Sequence, residues 1–263
     1  MELSAIDVGE GPAAVLLHGQ PGSADDWTPV TGRLRGRLRV IAPDRPGYGR
    51  TGGRAVGFRD NAAALVALLD RLGIESAVLA GHSWGTGVAL AMAIGFPERV
   101  QALVLAAPLA PGLPPGPVDR LLARRRLGGA AAWIGFRLAG LGLALPQARS
   151  LAAAAVPALE PAQIAATAAR WRADDVWRSF ASEQRALVAE LPTMAADLAS
   201  VDAPATVLFG TRDRISTPAH AHRVARDLPR ASPVRVEGVG HMLPQQRPEL
   251  VAEAITRAAV QPT

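Results

Sequence analysis

The sequence contains no cysteine, and this absence excludes disulfide bonds, thiolate metal ligands and a cysteine nucleophile together. It also contains no lysine, so all 28 basic residues are arginines, and the formal net charge is +5. The main arginine clusters are Arg33, Arg35, Arg37 and Arg39, and separately Arg120 with Arg124 to Arg126. Neither cluster is interleaved with aromatic residues, so we expect no nucleic-acid partner.

Long apolar runs of the kind that cross a membrane are missing as well. The best candidate, Leu127 to Leu145, contains Arg137 and five glycines, which penalise a lipid-exposed helix. We expect this segment to contact the core or a substrate instead. The first twelve residues carry acids where a signal peptide needs positive charge and an apolar block. The sequence therefore predicts a cytoplasmic protein without a membrane partner.

What the chain does have is length and hydrophobicity, with 263 residues of which 49% are hydrophobic. Short apolar runs, typical of buried strands, alternate with helical patterns. The predicted strands are 13–19, 38–44, 76–81, 101–108, 205–210 and 232–238, and the predicted helices are 61–72, 84–96, 218–228 and 248–260. This alternation predicts an α/β fold with a mostly parallel, doubly wound sheet. Residues 2–9 are expected to add an antiparallel edge strand.

The alternation stops after Pro108, where a stretch rich in proline and glycine begins. The following ninety or so residues show helical patterns and no strand pattern. We therefore predict that residues 109–201 form a helical cap inserted into a core made of residues 1–108 and 202–263. Since the insertion joins two strands of the sheet, the cap should lie over the carboxyl ends of the strands.

The motif Gly-His-Ser-Trp-Gly, residues 81–85, lies where a buried strand turns into an apolar helix. Gly-x-Ser-x-Gly in this position is typical of a nucleophile elbow, a turn so tight that neighbouring side chains must be very small. The alternative is a polar serine in a structural turn. We favour the elbow and predict that Ser83 is a nucleophile on strained backbone.

A nucleophilic serine needs a base, and the base needs a carboxylate that orients it. Asp213 and His241 each follow a predicted strand, so both should lie at the same sheet edge as Ser83. His82 lies inside the elbow, and His220 and His222 fall in a predicted surface helix. We therefore predict a catalytic triad of Ser83, Asp213 and His241.

Acyl transfer also requires N–H donors for the oxyanion. We predict that the backbone N–H groups of Gln20 and Trp84 supply them, and that His18 is structural. The residues expected at the substrate pocket are Gln20, Trp84, Trp133, Phe136 and Met242. The aromatic content of the cap suggests an apolar substrate of small to medium size. No phosphate-binding loop or cluster of metal ligands is present, so neither a cofactor nor a metal is expected.

Five segments together resemble the α/β-hydrolase superfamily, in the branch that carries a helical cap after the sixth strand of the family's sheet. They are HGQPGS (18–23), PDRPGYGRT (43–51), GHSWGTG (81–87), GTRDRIS (210–216) and GVGHMLPQQRPE (238–249). The resemblance covers residues 1–108 and 202–263, whereas the cap matches nothing specific. It implies that Asp44, Gly47 and Gly49 belong to a structural loop.

Departures from the family's patterns reduce the number of activities that the resemblance allows. The elbow is similar to that of haloalkane dehalogenases and epoxide hydrolases, but those enzymes carry Asp where this chain has Ser83. Epoxide hydrolases also use two cap tyrosines, whereas Tyr48 is the only tyrosine here. Carbon–carbon bond hydrolases use serine and usually carry Trp at the position of Met242. Prolyl aminopeptidases share the Ser–Trp elbow and need cap acids; those available are Glu160, Asp174, Asp175, Glu183 and Glu190.

The function favoured by the sequence is a serine hydrolase that cleaves an ester, thioester or lactone of a small molecule through an acyl-enzyme. The alternatives that use the same triad are C–C or amide bond hydrolysis, cofactor-free perhydrolase or haloperoxidase activity, and a biosynthetic tailoring step. A ligand receptor on the same fold is a further alternative.

Overall fold

The computed structural model describes residues 2–155, 161–172 and 174–260, without the side chains of 152–155, 161–163, 174 and 175. Its strands are β1 (Ala5–Val8), β2 (Ala13–Leu17), β3 (Arg39–Pro43), β4 (Ala77–His82), β5 (Val100–Ala106), β6 (Ala205–Gly210) and β7 (Ala231–Val236). They form one sheet in the order β1-β3-β2-β4-β5-β6-β7. β1 runs antiparallel to β3, and every other pair is parallel. The predicted fold class and the antiparallel edge strand are therefore confirmed.

Helices cover both faces of this sheet. They are α1 (Thr28–Leu34), α2 (Phe58–Arg71), α3 (Trp84–Gly95), α4 (Pro117–Leu122), α5 (Leu127–Gly142), α6 (Pro146–Ala155), α7 (Pro161–Trp171), α8 (Asp174–Glu190), α9 (Pro218–Asp227), α10 (Leu243–Gln246) and α11 (Pro248–Val260). α2, α3 and α9 pack on one face, and α1 and α11 pack on the other. Because both faces are covered, β2 and β4 are buried along their whole length, which explains their continuous apolar sequences.

Helices α4 to α8 lie between β5 and β6, in the segment predicted to form the cap. α8 is the helix seated on the core. Its Ser179 Oγ donates to the Gly47 carbonyl at 2.7 Å, and its Glu190 Oε2 accepts the Phe58 N–H at 2.9 Å. Glu190 thus stabilises the N-terminus of α2. The domain limits at 108 and 202 stay a prediction.

Two core helices were not expected from the sequence. α1 contains Gly32 and several β-branched residues, so its helix propensity is low. It forms because Val30 and Leu34 are buried against the sheet. The short α10 begins directly after the loop that carries His241. No helix in the described part of the chain is long and apolar enough to cross a membrane.

Candidate active site

The carboxyl ends of the parallel strands meet at one edge of the sheet, and three predicted site residues lie there. Ser83 directly follows β4, Asp213 follows β6, and His241 follows β7. The Ser83 Oγ lies 2.9 Å from the His241 Nε2, and the His241 Nδ1 lies 2.9 Å from the Asp213 Oδ2. The structure therefore brings the three side chains into one hydrogen-bonded chain.

Ser83 lies on backbone that an L residue rarely adopts, with φ +50° and ψ −118°. The two flanking glycines are required by close contacts. A Cβ at Gly81 would lie 2.6 Å from the Gly85 carbonyl oxygen, and a Cβ at Gly85 would overlap the Leu17 carbonyl oxygen. The turn thus stores strain and presents the hydroxyl between β4 and α3.

Hydrogen bonds define the role of Asp213. Its Oδ1 accepts the backbone N–H groups of Ile215 at 2.8 Å and Ser216 at 2.9 Å, and its side chain is fully buried. Its Oδ2 therefore faces His241 as an acceptor, so the His241 Nδ1 carries the proton. The Nε2 is then free to accept the Ser83 hydroxyl proton.

His82 supports the loop that carries His241. Its Nε2 lies 2.9 Å from the His241 carbonyl oxygen, and since a carbonyl only accepts, the Nε2 must carry a proton and donate. Burial lowers the pKa of His82 to about 3, so the ring stays neutral at neutral pH. Sequence reasoning excluded His82 as the base but gave no sign of this contact.

The backbone N–H groups of Gln20 and Trp84, the predicted oxyanion donors, are left without an acceptor in this part of the structure. Neither donates to another atom within the described residues. Trp84 is the first residue of α3, where a helix N–H lacks an intrahelical acceptor. Gln20 follows Gly19, at which a Cβ would lie only 3.3 Å from the Ser83 Cβ. Both donors therefore lie next to the serine.

The side chain of Gln20 contacts the cap. Its Nε2 donates to the Phe180 carbonyl at 3.0 Å, and its Oε1 accepts the Gln184 Nε2 at 3.3 Å. These bonds tie the loop after β2 to α8.

Arg45, which sequence reasoning did not select, joins the cap to this loop. It lies in the segment identified as structural, and its side chain is almost fully buried. Its guanidinium pairs with Glu183 of α8, donates to the His18 carbonyl at 3.0 Å and to the Gly19 carbonyl at 2.9 Å. It also stands 4.4 Å from the ring centre of Trp84.

His18 makes the contacts of a structural residue. Its Nε2 accepts the Arg45 N–H at 3.0 Å, so its Nδ1 carries the proton and donates to the Gly19 carbonyl at 2.9 Å. Burial holds the pKa of His18 well below its usual value. The neutral ring therefore fixes the loop before Gln20.

A cavity of about 920 Å³ separates the cap from the sheet edge, and Ser83 and His241 lie in its wall. Its other walls are mostly apolar; they include Leu109, Leu113, Ile164, Trp171, Phe180 and Leu187. Gln20, Trp84 and Met242 line it, as the sequence predicts.

Two predicted pocket residues do not line the cavity, whereas His220, which was not predicted for it, does. Trp133 lies on the outer side of α5 and is 44% exposed. Phe136 packs behind the lining aromatics, edge-to-face on Trp171 and Phe180. These predictions were wrong because α5 is apolar around most of its circumference, with Arg137 as its one charged residue, so periodicity cannot reveal its inner face. His220 was expected on a surface helix, but it lines the cavity.

An acid and a base face each other across the cavity wall. Arg170 of α7 lies 3.8 Å from the Asp26 carboxylate and is hydrogen-bonded to Ser23. Burial raises the pKa of Asp26 to about 6, although Arg170 and the Ser23 N–H oppose the shift. This pair adds two charged side chains to a mostly apolar cavity wall.

The cap acids considered for binding a substrate amine are occupied where the structure describes them. Glu183 pairs with Arg45 and accepts the Tyr48 hydroxyl at 2.7 Å, and Glu190 caps α2. Glu160 and the side chains of Asp174 and Asp175 lie outside the described residues. Within the described residues, no three potential ligands are grouped to hold a metal ion.

Comparison with known proteins agrees with the fold. The model of the alpha/beta hydrolase family matches residues 14–254, and the chain belongs to that family of hydrolases.

Relatives within this family differ in activity. A 2-hydroxy-6-oxo-2,4-heptadienoate hydrolase of Pseudomonas putida is 40% identical over 111 residues, which is 40% of each chain. An uncharacterised protein of Mycobacterium tuberculosis is 30% identical, over 89% of this chain and 71% of its own. The structure of a thermophilic esterase from Thermogutta terrifontis superposes with a TM-score of 0.75 and 25% identity, covering 97% of this chain and 92% of the esterase. The alignments to the P. putida enzyme and to a haloalkane dehalogenase of Mesorhizobium japonicum span well under two thirds of those proteins.

Proposed function

We propose that the protein is a serine hydrolase that cleaves an ester, thioester or lactone through an acyl-enzyme. The observation that carries the proposal is the continuous hydrogen-bonded chain from Asp213 through His241 to Ser83, in the wall of the cavity. This is the arrangement that makes a serine hydroxyl nucleophilic at neutral pH.

In the first half of the reaction, the Ser83 Oγ attacks the carbonyl carbon and its proton passes to the His241 Nε2. Asp213 stabilises the imidazolium through the Nδ1–H hydrogen bond. The N–H groups of Gln20 and Trp84 donate to the oxygen that becomes negative. As the intermediate collapses, the carbon–oxygen or carbon–sulfur bond breaks and the leaving group takes the proton from His241.

In the second half, water attacks the acyl carbon and gives its proton to the His241 Nε2. The second intermediate collapses, the bond to Ser83 breaks, and the serine recovers its proton. Water supplies the hydroxyl of the product acid, so the products are an acid and an alcohol, a thiol or, for a lactone, one hydroxy acid.

The cavity favours an apolar acyl group of medium size. Its volume of about 920 Å³ is within the range of sites that bind drug-sized molecules. The aromatic walls formed by Trp171 and Phe180 are suited to aliphatic chains and rings.

The test is hydrolysis of p-nitrophenyl esters with acyl chains of two to twelve carbons, combined with a fluorophosphonate probe. The expected result is turnover that peaks at one chain length and a covalent adduct on Ser83. Ser83→Ala should lose roughly three or more orders of magnitude in kcat and the adduct. Ser182→Ala, a cap serine outside the cavity wall, is the matched control and should keep both. Turnover retained by Ser83→Ala would refute the assignment.

A second candidate is hydrolysis of a carbon–carbon bond in an enol-keto acid. The observation that favours it is Arg170, a cation in the mostly apolar cavity wall, which could hold a substrate carboxylate in competition with Asp26. The similarity to the P. putida hydrolase adds support. The test is loss of the absorbance of 2-hydroxy-6-oxo-2,4-heptadienoate. Turnover of this compound above that of the best ester, reduced in Arg170→Gln, would favour the second candidate.

A further inference from the structure

One face of α5 is apolar and turned to solvent. Its residues recur at three- and four-residue spacing and continue into the following turn; they are Leu127, Ile134, Leu138, Leu141 and Leu145. Each is between 49% and 65% exposed. The opposite face packs inside the cap through Gly128, Ala132 and Gly140. An apolar helix face is normally covered, so the exposed outer face of α5 lacks a partner within the described chain.

The helices before and after α5 also carry exposed apolar residues. α4 packs against α5 and exposes Val118 and Leu121, and α6 exposes Leu151. Single exposed apolar residues are ordinary, whereas a stripe of this kind marks an interaction site. We call the outer side of α4, α5 and α6 the cap face.

The segment that forms the cap face also carries a net positive charge. Residues 117–155 contain six arginines and one acid, Asp119, giving a net charge of +5, equal to that of the whole protein. Arg120, Arg124 to Arg126 and Arg149 have no ion-pair partner within the described residues. The guanidinium of Arg137 stands 5.6 Å from the Trp133 ring centre. Exposed apolar side chains and arginines therefore lie close together in the chain, on α4 to α6 and the turns between them.

We propose that the cap face docks on an anionic lipid surface. Leucine and isoleucine side chains would enter the boundary between headgroups and acyl chains, and the arginines would bind lipid phosphates. Trp133 is suited to the same boundary, since its ring is amphipathic. This is peripheral binding by one helix face, not a membrane span, and it departs from the expectation from the sequence that the protein has no membrane partner.

A second copy of the chain fits the cap face less well. A two-fold interface would place the same arginine-rich surfaces against each other. Helix pairs that associate through such stripes usually carry opposite charges beside them, and here Asp119 is the one acid available between 117 and 155. Charge complementarity therefore selects an anionic surface.

Docking would also bring the cavity close to lipid. Ala139, Gly142 and Leu143 line the cavity from α5 and its end, on the side away from the apolar stripe. An apolar substrate dissolved in the bilayer would then lie close to the helix that lines the cavity of Ser83. This last link rests on the proposed function, whereas docking itself does not.

The experiment is co-sedimentation of the full chain with vesicles of phosphatidylcholine alone or mixed 3:1 with phosphatidylglycerol. We expect at least roughly tenfold stronger partitioning onto the anionic vesicles, weakened by 0.5 M salt. Leu138→Ser with Leu141→Ser should reduce it by roughly tenfold or more. The control is Val260→Ser, which removes an apolar residue of α11 that is even more exposed than the two leucines.

The charge is tested separately by replacing Arg124, Arg125 and Arg126 with Gln, which should weaken partitioning by roughly ten- to a hundredfold. The control replaces Arg33, Arg35 and Arg37 with Gln, so the same charge is lost from the core surface. Ser83→Ala should bind like the wild type, which separates docking from hydrolysis. Thermal melts verify that each variant is folded.

Three results would overturn the proposal. One is the absence of partitioning onto anionic vesicles, and another is an equal loss of binding in the cap-face variants and their controls. The third is a dimer, seen by light scattering, that the leucine variants convert to monomer while vesicle binding is absent.

Discussion

Arg45 and Glu183 form a buried ion pair that joins the loop after β3 to the cap helix α8, with side chains 1% and 0% exposed. The same guanidinium donates to the carbonyl groups of His18 and Gly19 and stands over the Trp84 ring. The Arg45 guanidinium therefore contacts three elements at once, namely the cap, the loop before Gln20 and the nucleophile elbow. Its position couples the cap to both proposed oxyanion donors.

Removing the carboxylate should destabilise the protein. Glu183→Gln leaves a buried guanidinium without its counter-charge, and such changes cost about 3 kcal/mol or more. Glu190→Gln is the matched control, because it also neutralises a glutamate of α8 but affects only the N-terminus of α2, at a cost of about 1 kcal/mol. Urea unfolding measures both values. Equal losses in the two variants would mean that the buried ion pair stabilises the protein no more than the contact of Glu190 does.

The sequence predicts the position of the triad because local apolar patterns mark where each strand ends. Ser83, Asp213 and His241 each follow an apolar strand, and parallel strands end at one edge. The contact between Arg45 and Glu183 is of another kind, since 138 residues separate them. No local pattern specifies which side chain of a cap helix meets which core loop.

The same reasoning explains the errors in the cap. α5 is apolar on both faces, so its pattern could not tell that Trp133 points outward. Trp171 and Phe180, which do line the cavity, could not be told from packing residues by sequence. Cap packing depends on helix–helix contacts that only the folded chain defines.

The buried His82 should make the protein sensitive to acid. Below its usual pKa of 6.5 the unfolded chain binds a proton at His82, but the native ring, with a pKa of about 3, does not. The free energy of unfolding therefore decreases as the pH falls. By pH 4, His82 alone should have lowered it by about 3 kcal/mol relative to neutral pH.

His82→Gln keeps an N–H that can donate to the His241 carbonyl and removes the titration. Unfolding free energies at pH 7 and pH 4 should differ less in this variant than in the wild type. His222→Gln, at an exposed histidine, serves as the control and should behave like the wild type. An unchanged pH dependence in His82→Gln would contradict the buried neutral ring.

Asp26 should change the pH dependence of stability in the opposite direction to His82. Its native pKa of about 6 lies above the usual 3.8, so between these values the native state holds a proton that the unfolded state has lost. Stability should fall as the pH rises from about 4 to about 6, by at most about 3 kcal/mol. The side chain is 27% exposed, and solvent will reduce this value.

The measurement compares Asp26→Asn with the wild type in urea at pH 4, 5, 6 and 7. The stability advantage of the variant should grow over that range. Asp25→Asn changes the neighbouring, exposed carboxylate and should show no such trend. A constant difference across the series would rule out the titration of Asp26 in this window.

The strained backbone at Ser83 predicts a trade-off between stability and the proposed activity. Glycine accepts φ +50° without a Cβ clash. The free energy of unfolding of Ser83→Gly should therefore exceed that of Ser83→Ala by about 1 kcal/mol. Both variants lose the hydroxyl and should be inactive. Ala89→Gly in the middle of α3 is the control and should lose about 1 kcal/mol or more. A less stable Ser83→Gly would argue against strain at the elbow.

The position of α5 over the cavity predicts how acyl-chain length is limited. Ala139 lines the cavity from the cap, so Ala139→Phe should fill part of the space above Ser83. Under the proposed acyl hydrolysis, kcat/KM for p-nitrophenyl acetate should stay within about twofold, while esters near the wild-type optimum or longer lose roughly tenfold or more. Ala130→Phe places the same ring on an exposed site of α5 and should leave the profile unchanged. A loss that is equal for all chain lengths would show that Ala139 affects the fold of the cap rather than the length of the pocket.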